Sequence, residues 1–377
     1  MKKSFFYAAM LAVAVAFVGC KDTQTPETDT TKLWPAMSGE LWGYIDANGK
    51  LAISPMYEGV CNFSCGYARV WMTNTTTPIF IDTKGKMQQA SFDDADDFYY
   101  KYSRIEMNEL YGLMTTSFDY SCQPMFYGLG RMSENGLVRA KLTSKDKWGY
   151  VNAKGENKIP AMYDYVDTFE GGVAVVRIGS KYGAINTKGD FVIQPMYDDL
   201  EAIGHGMIAF EQNDKVGLMN ASGKIVVQPI YDELGYLVDN DLIPACRNDK
   251  CGFINKSGDE KIAFVYDACS SFYEGYAVVY QNDVERVIDT KGNIVMTIPE
   301  NDEIYSAMHN GLALVRSHQD NGDVVYKYVD KDYKMVYQWT IEAQPNPGWP
   351  APAKKASRQE RLKNLVEETI HFDSRNL

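Results

Sequence analysis

Apolar and polar residues alternate in short runs from Leu41 to about residue 340, and turn-forming residues punctuate each run. Trp148-Gly149-Tyr150-Val151 puts aromatic and aliphatic side chains on alternate faces, the pattern of a short strand. Asn152-x-x-Gly155 follows, a type I turn closed by a left-handed glycine and a common hairpin connection. A second strand comes next, as in Asp190-Phe191-Val192-Ile193-Gln194. Pro195 is expected to stop it, because proline donates no ladder hydrogen bond. Met196-Tyr197-Asp198 then leads to a third strand of the Gly-x-Ala-x-Val type, visible at Gly172–Val176 and Gly275–Val279. Each unit is therefore predicted to be a three-strand meander.

The unit recurs. Trp42-Gly43-Tyr44-Ile45, Trp148-Gly149-Tyr150-Val151, Tyr182-Gly183-Ala184-Ile185, Val216-Gly217-Leu218-Met219 and Cys251-Gly252-Phe253-Ile254 all open the same pattern, and weaker copies are visible from Ile81, Tyr111, Ile288 and Tyr328. The turn glycine and a later tyrosine keep one spacing in five copies: Gly49/Tyr57, Gly155/Tyr163, Gly189/Tyr197, Gly223/Tyr231 and Gly258/Tyr266. Another glycine follows each tyrosine at a fixed distance, at Gly66, Gly172, Gly206 and Gly275. Asn240 takes that place in the fifth copy, which marks a positive-φ requirement of the backbone.

These spaced positions resemble the bacterial proteins that carry WG repeats, over roughly residues 41 to 340. The resemblance implies a repetitive β architecture and neither a known reaction nor a ligand. A three-strand unit cannot bury its faces alone, so about eight to nine of them must stack. The expected fold is all-β, with propeller-like closure preferred over an open β-superhelix because closure removes sheet edges. Trp148 is expected to lie buried between neighbouring repeats.

The ends differ from the array. Lys2-Lys3, the apolar stretch Phe5 to Val18 and Phe17-Val18-Gly19-Cys20 have the proportions of a lipoprotein signal peptide, residues 1–19, with Cys20 as the acylated residue. Residues 20–40 are expected to be a tether, 41–343 the array, 344–356 a Pro-rich linker and 357–372 a C-terminal helix that begins at Ser357. The chain is thus expected to be exported and held at the outer membrane by its lipid alone, since no other apolar run is long enough to span. The formal charge of −12 and the absence of a basic patch with interleaved aromatics exclude nucleic acid as a partner class.

Candidate chemistry is sparse. Asp164, Asp198, Asp232 and Asp267 follow Tyr163, Tyr197, Tyr231 and Tyr266, and Glu58 follows Tyr57. Equivalent loops would line these pairs up as a binding rim of aromatics and acids, or the acids would accept backbone N–H groups locally. Cys246 and Cys251 flank a tight turn on adjacent strands, where a disulfide is possible. No Cys-x-x-Cys or histidine spacing suggests zinc, and no cofactor fingerprint is present. The acidic run Asp93-Asp94-Ala95-Asp96-Asp97 lacks the pattern of a calcium loop and is expected to be a solvated loop. The functional expectation is an envelope binding scaffold for a protein or glycan. The alternative is a hydrolase of envelope or host polymers, whose polar side chains would converge in the degenerate copies, residues 77 to 140 and 284 to 340; these offer Tyr99, Tyr100, Lys101 and Tyr102 but no nucleophile–base pair.

Overall fold

The computed structural model describes residues 32–238 and 240–342. Cys20, the signal peptide, the Pro-rich linker and the C-terminal helix lie outside them. Among the described residues every helix-or-strand element is a strand, and the strands form nine antiparallel sheets, seven of four strands and two of three. The fold is all-β, an array of nine blades of the β-propeller kind. The chain forms two compact units. One runs to Glu211 and takes back Leu218–Ile225; the other comprises Gln212–Gly217 and the chain from Val226. The first five sheets lie in the former and the last three in the latter, with the sixth divided between them.

The fifth sheet shows the plan: Tyr165–Val166, Val173–Ile178, Lys181–Asn186 and Phe191–Tyr197, paired in that order. Three of these are the predicted strands. The first is new, and its two residues are too few for any alternation to show in the sequence. The expected tether also ends early: Trp34–Ser38 pairs with Leu41–Ile45 and supplies the inner neighbour of the first Trp-Gly strand, with Trp34 buried.

Proline does not stop the outer strand. Phe191–Tyr197 runs through Pro195 with a register shift, Tyr182 facing Tyr197 and Ala184 facing Ile193. This strand is the sheet edge, so the missing N–H deprives no partner. The bulge explains the glycine of the Trp-Gly pair. A Cβ on Gly183 would lie 2.5 Å from the Ile193 carbonyl oxygen and 2.8 Å from Pro195 N; one on Gly149 or Gly252 would lie 2.5 or 2.6 Å from the carbonyl of Ile159 or Ile262. The outer backbone is folded directly onto that position, and only glycine leaves room. The turn glycines meet a separate demand, with φ of 79° at Gly155 and 87° at Gly189.

The core lies between adjacent sheets. Tyr150, Ile159 and Tyr163 of the fourth pack with Val166, Phe169, Val176 and Ile185 of the fifth. Trp148 is half-buried against this cluster instead of enclosed by it, with Arg139 and Lys141 over its ring. The neighbouring Tyr150 is the enclosed aromatic, and its hydroxyl donates to the Asp167 carbonyl at 2.7 Å.

Candidate functional site

The expected aromatic rim is not there. Tyr163 and Tyr231 are buried, Tyr266 nearly so, and the half-buried Tyr197 sets its ring against Phe210 at 6.0 Å. Each tyrosine ends an outer strand and turns inward, where its large apolar area does more for the inter-sheet core than it could at the surface.

The acids have partners too. Lys147, Lys181, Lys215 and Lys250 pair with Asp164, Asp198, Asp232 and Asp267, each lysine standing 17 residues before its aspartate. The second carboxylate oxygen caps a hairpin turn: the N–H of Gly179 donates to Asp164 at 2.8 Å, that of Asn248 to Asp232 at 2.8 Å and that of Asn282 to Asp267 at 2.9 Å. The lysine ammonium, then the backbone donor, holds the carboxyls of Asp164 and Asp267 below the usual aspartate range; at Asp232 the lysine again leads. These are clamps between strands: each aspartate accepts backbone N–H groups, as one reading of the sequence has it, but from a turn 15 or 16 residues on and not from its own. Cys246 and Cys251 face each other across their strands and are joined as a disulfide. The sequence did not connect a third cysteine, Cys269, to them; all three sulfurs lie within 4.8 Å of one another.

Variation is concentrated elsewhere, in the segment between the short first strand and the second strand. Its anchor repeats, because Phe98, Met132 and Phe169 are all buried plugs. The residues around the plug do not repeat. The third sheet has Asp96-Asp97-Phe98-Tyr99, the fourth Gly130-Arg131-Met132-Ser133 and the fifth Asp167-Thr168-Phe169-Glu170. The acidic run expected to be solvated is here, and it is tied down. Asp96 is buried, with Arg104 Nε at 3.0 Å and Arg131 Nε at 3.5 Å. Asp97 accepts from Arg69 Nε at 2.7 Å, and the Arg131 guanidinium stands 4.6 Å over the Tyr99 ring. Aspartates look solvated in a sequence when their cations lie 8 to 35 residues away.

Arg69, Arg104 and Arg139 occupy one position in three successive second strands, and each reaches the next sheet. Their NH1 groups donate to the carbonyls of Ala95 at 2.5 Å, Leu129 at 3.1 Å and Val166 at 3.3 Å. The first two arginines also meet an aspartate. Arg139 makes no such ion pair among the described residues, where its Nε is buried without a hydrogen-bond partner, although its charge acts on Asp167. Beside it the chemistry turns acidic. Burial by its neighbours pushes the Glu170 carboxyl up to about 7, aided by Asp167 and Glu134, although the residue as a whole is exposed. Burial likewise raises the Asp167 carboxyl. The region thus presents guanidinium donors, a tyrosine face and two carboxyl groups, Asp167 and Glu170, that hold their protons more readily than free ones. It can hold a polar ligand that donates and accepts hydrogen bonds. Sequence reading reached its Tyr99–Tyr102 corner, through the weakness of that copy, and the acidic run beside it, but gave the run no partners.

Five stretches match the family model described as WG containing repeat: residues 42–71, 148–182, 182–215, 217–251 and 252–284. No curated protein matches. Among solved structures the chain is similar to the dihydro-heme d1 dehydrogenase NirN, at 11% identity over 70% of this chain and 71% of that one, with a TM-score of 0.40. It is similar to Hsv2p of Kluyveromyces lactis at 8% identity, 65% and 94% coverage and a TM-score of 0.36. BamB of Moraxella catarrhalis is 12% identical over 85% of this chain and 97% of that one, with a TM-score of 0.29.

Proposed function

The chain belongs to the WG containing repeat family, and on that frame we propose a binding scaffold of the bacterial cell envelope, lipid-anchored through Cys20, whose partner is a protein or glycan. One observation carries the reading. The strands, tyrosines and Lys–Asp clamps repeat from copy to copy, whereas the segments bearing Asp97, Tyr99, Arg131, Glu134, Asp167 and Glu170 have diverged around an anchor that stays apolar and buried. A constant scaffold with variable loops is how recognition surfaces are built. Polar groups set on rigid strands also lose little freedom when a ligand arrives.

The test is capture from intact envelopes. Arg131→Glu and Glu170→Arg should abolish retention of whatever the wild-type chain retains, while Lys181→Ala, a frame substitution, should leave it intact. Equal retention by all three would defeat the assignment of the surface. Cys20→Ser should move the exported chain from the detergent to the aqueous phase; unchanged partitioning would remove the anchor from the proposal.

The hydrolase alternative has one observation in its favour, the raised Glu170 carboxyl beside Asp167. A glycosidase needs one such proton donor and one ionised partner. Release of reducing sugar from envelope polysaccharide, lost in Glu170→Gln, would establish it.

A further inference from the structure

Three cysteines from two sheets meet in an apolar core. Cys246 and Cys251 are opposed in the seventh sheet, and Cys269 lies on the first strand of the eighth. All are buried, within a cluster that includes Phe253, Ile262, Tyr266 and Phe272. Their sulfurs lie within 4.8 Å of one another. A single three-coordinate centre with metal–sulfur bonds of ~2.3 Å holds its sulfurs at ~4 Å or less, so little movement separates this group from a trithiolate site.

We propose that, once the Cys246–Cys251 disulfide is reduced, Cys246, Cys251 and Cys269 form a site for one trivalent thiophilic centre, As(III). A dithiol reductant supplies two electrons and two protons to the disulfide and leaves as its own disulfide. Arsenous acid, As(OH)3, then exchanges its three hydroxyls for three thiolate sulfurs. Three S–H bonds and three As–O bonds break, three As–S bonds form, and three waters leave.

Charge selects this ion. The tris-thiolate of As(III) is neutral, whereas Cu(I) held by three thiolates carries two negative charges, and a buried uncompensated charge is costly. The sheet adds to that bias, because Glu233 stands directly opposite Cys246. Soft thiolate ligands exclude the hard cations in either case.

The experiment uses the full chain, reduced with a phosphine and titrated with arsenite alone. Intact mass should show one arsenic in place of three protons, and three thiols should become protected from maleimide without loss of the near-ultraviolet circular dichroism. Cys269→Ser and Cys269→Ala should each weaken arsenic retention about tenfold or more, while Cys122→Ser should not, and the oxidised chain should take up none. Protection of two thiols only, undiminished retention in both Cys269 variants, or collapse of the near-ultraviolet signal on reduction of the wild type would each overturn the proposal. The same titration with Cu(I) checks the charge argument; tighter binding of copper than arsenite would refute it.

Discussion

Asp198 and Asp96 are both aspartates facing a cation at about salt-bridge distance, yet they do opposite work. The Asp198 side chain is 93% exposed, paired with Lys181 at 2.7 Å; that of Asp96 is 9% exposed between Arg104 and Arg131. An exposed pair is diluted by water and salt and contributes little beyond its geometry. A buried carboxylate is tolerated only because its cations are present, so the structure there depends on all three side chains. The clamp can therefore be copied in sheet after sheet at low risk. Among the described residues the Asp96 node arises once, in the stretch where the repeat is weak.

The largest effect should come from breaking the node. Asp96→Ala is expected to cost about 3–5 kcal/mol, because it strands Arg104 next to the core. A loss under about 1 kcal/mol, read from the denaturant midpoint, would show that the arginines simply turn to solvent. Next comes Gly183→Ala, which forces a methyl against the Ile193 carbonyl. An expected loss of about 1–3 kcal/mol follows from overpacking, and the effect should vanish if the outer strand can unbulge. Asp232→Ala should cost about 0.5–2 kcal/mol through the lost turn cap. Lys215→Ala, which removes only the ion pair, should cost at most about 1 kcal/mol and nothing at high salt. If the two substitutions proved equal, capping would not be the main role of the aspartate.

Titration gives the smallest and sharpest contrast. The folded state holds the Asp232 carboxyl below its ordinary range. Its contribution is therefore complete above the unfolded pKa of ~3.9 and is lost as pH falls through the lower folded value. Glu170 behaves inversely. Its carboxyl is raised in the fold to about 7, so its contribution is complete below ~4.3 and declines as pH rises towards 7. Glu170→Gln should flatten the stability profile between those two values, and Asp232→Asn only the profile below them. An unchanged profile in Glu170→Gln would mean that the carboxyl titrates normally.

The frame was legible wherever a single residue type meets a single backbone demand in every copy. The turn glycines, the glycine pair-mates of Trp42 and Trp148, and the inward tyrosines recur at fixed spacing because bulge, turn and core recur. The short strand Tyr165–Val166 was not legible, since two residues define no period. Pro195 was read as a stop because a sequence does not reveal which strand is an edge. The loop site was hardest for the opposite reason. Asp97, Arg131 and Glu170 differ where everything around them repeats, and such difference looks like decay until the strands bring the positions together. The clamp lysines lay in view, 17 residues ahead of their aspartates, but a constant separation between two charges suggests contact only once both ends of the hairpin are known.

The offset between sequence copy and sheet has an evolutionary consequence. A copy that starts at the Trp-Gly strand, such as 148–182, gives its first two strands to one sheet and its next two to the following sheet. Recombination between two such starting points joins the opening half of one sheet to the closing half of another, and the product is again a whole sheet of four strands. Copies can then be gained or lost without leaving a half-built edge. Each added copy then brings its own loops, which begin to diverge on a frame that repeats.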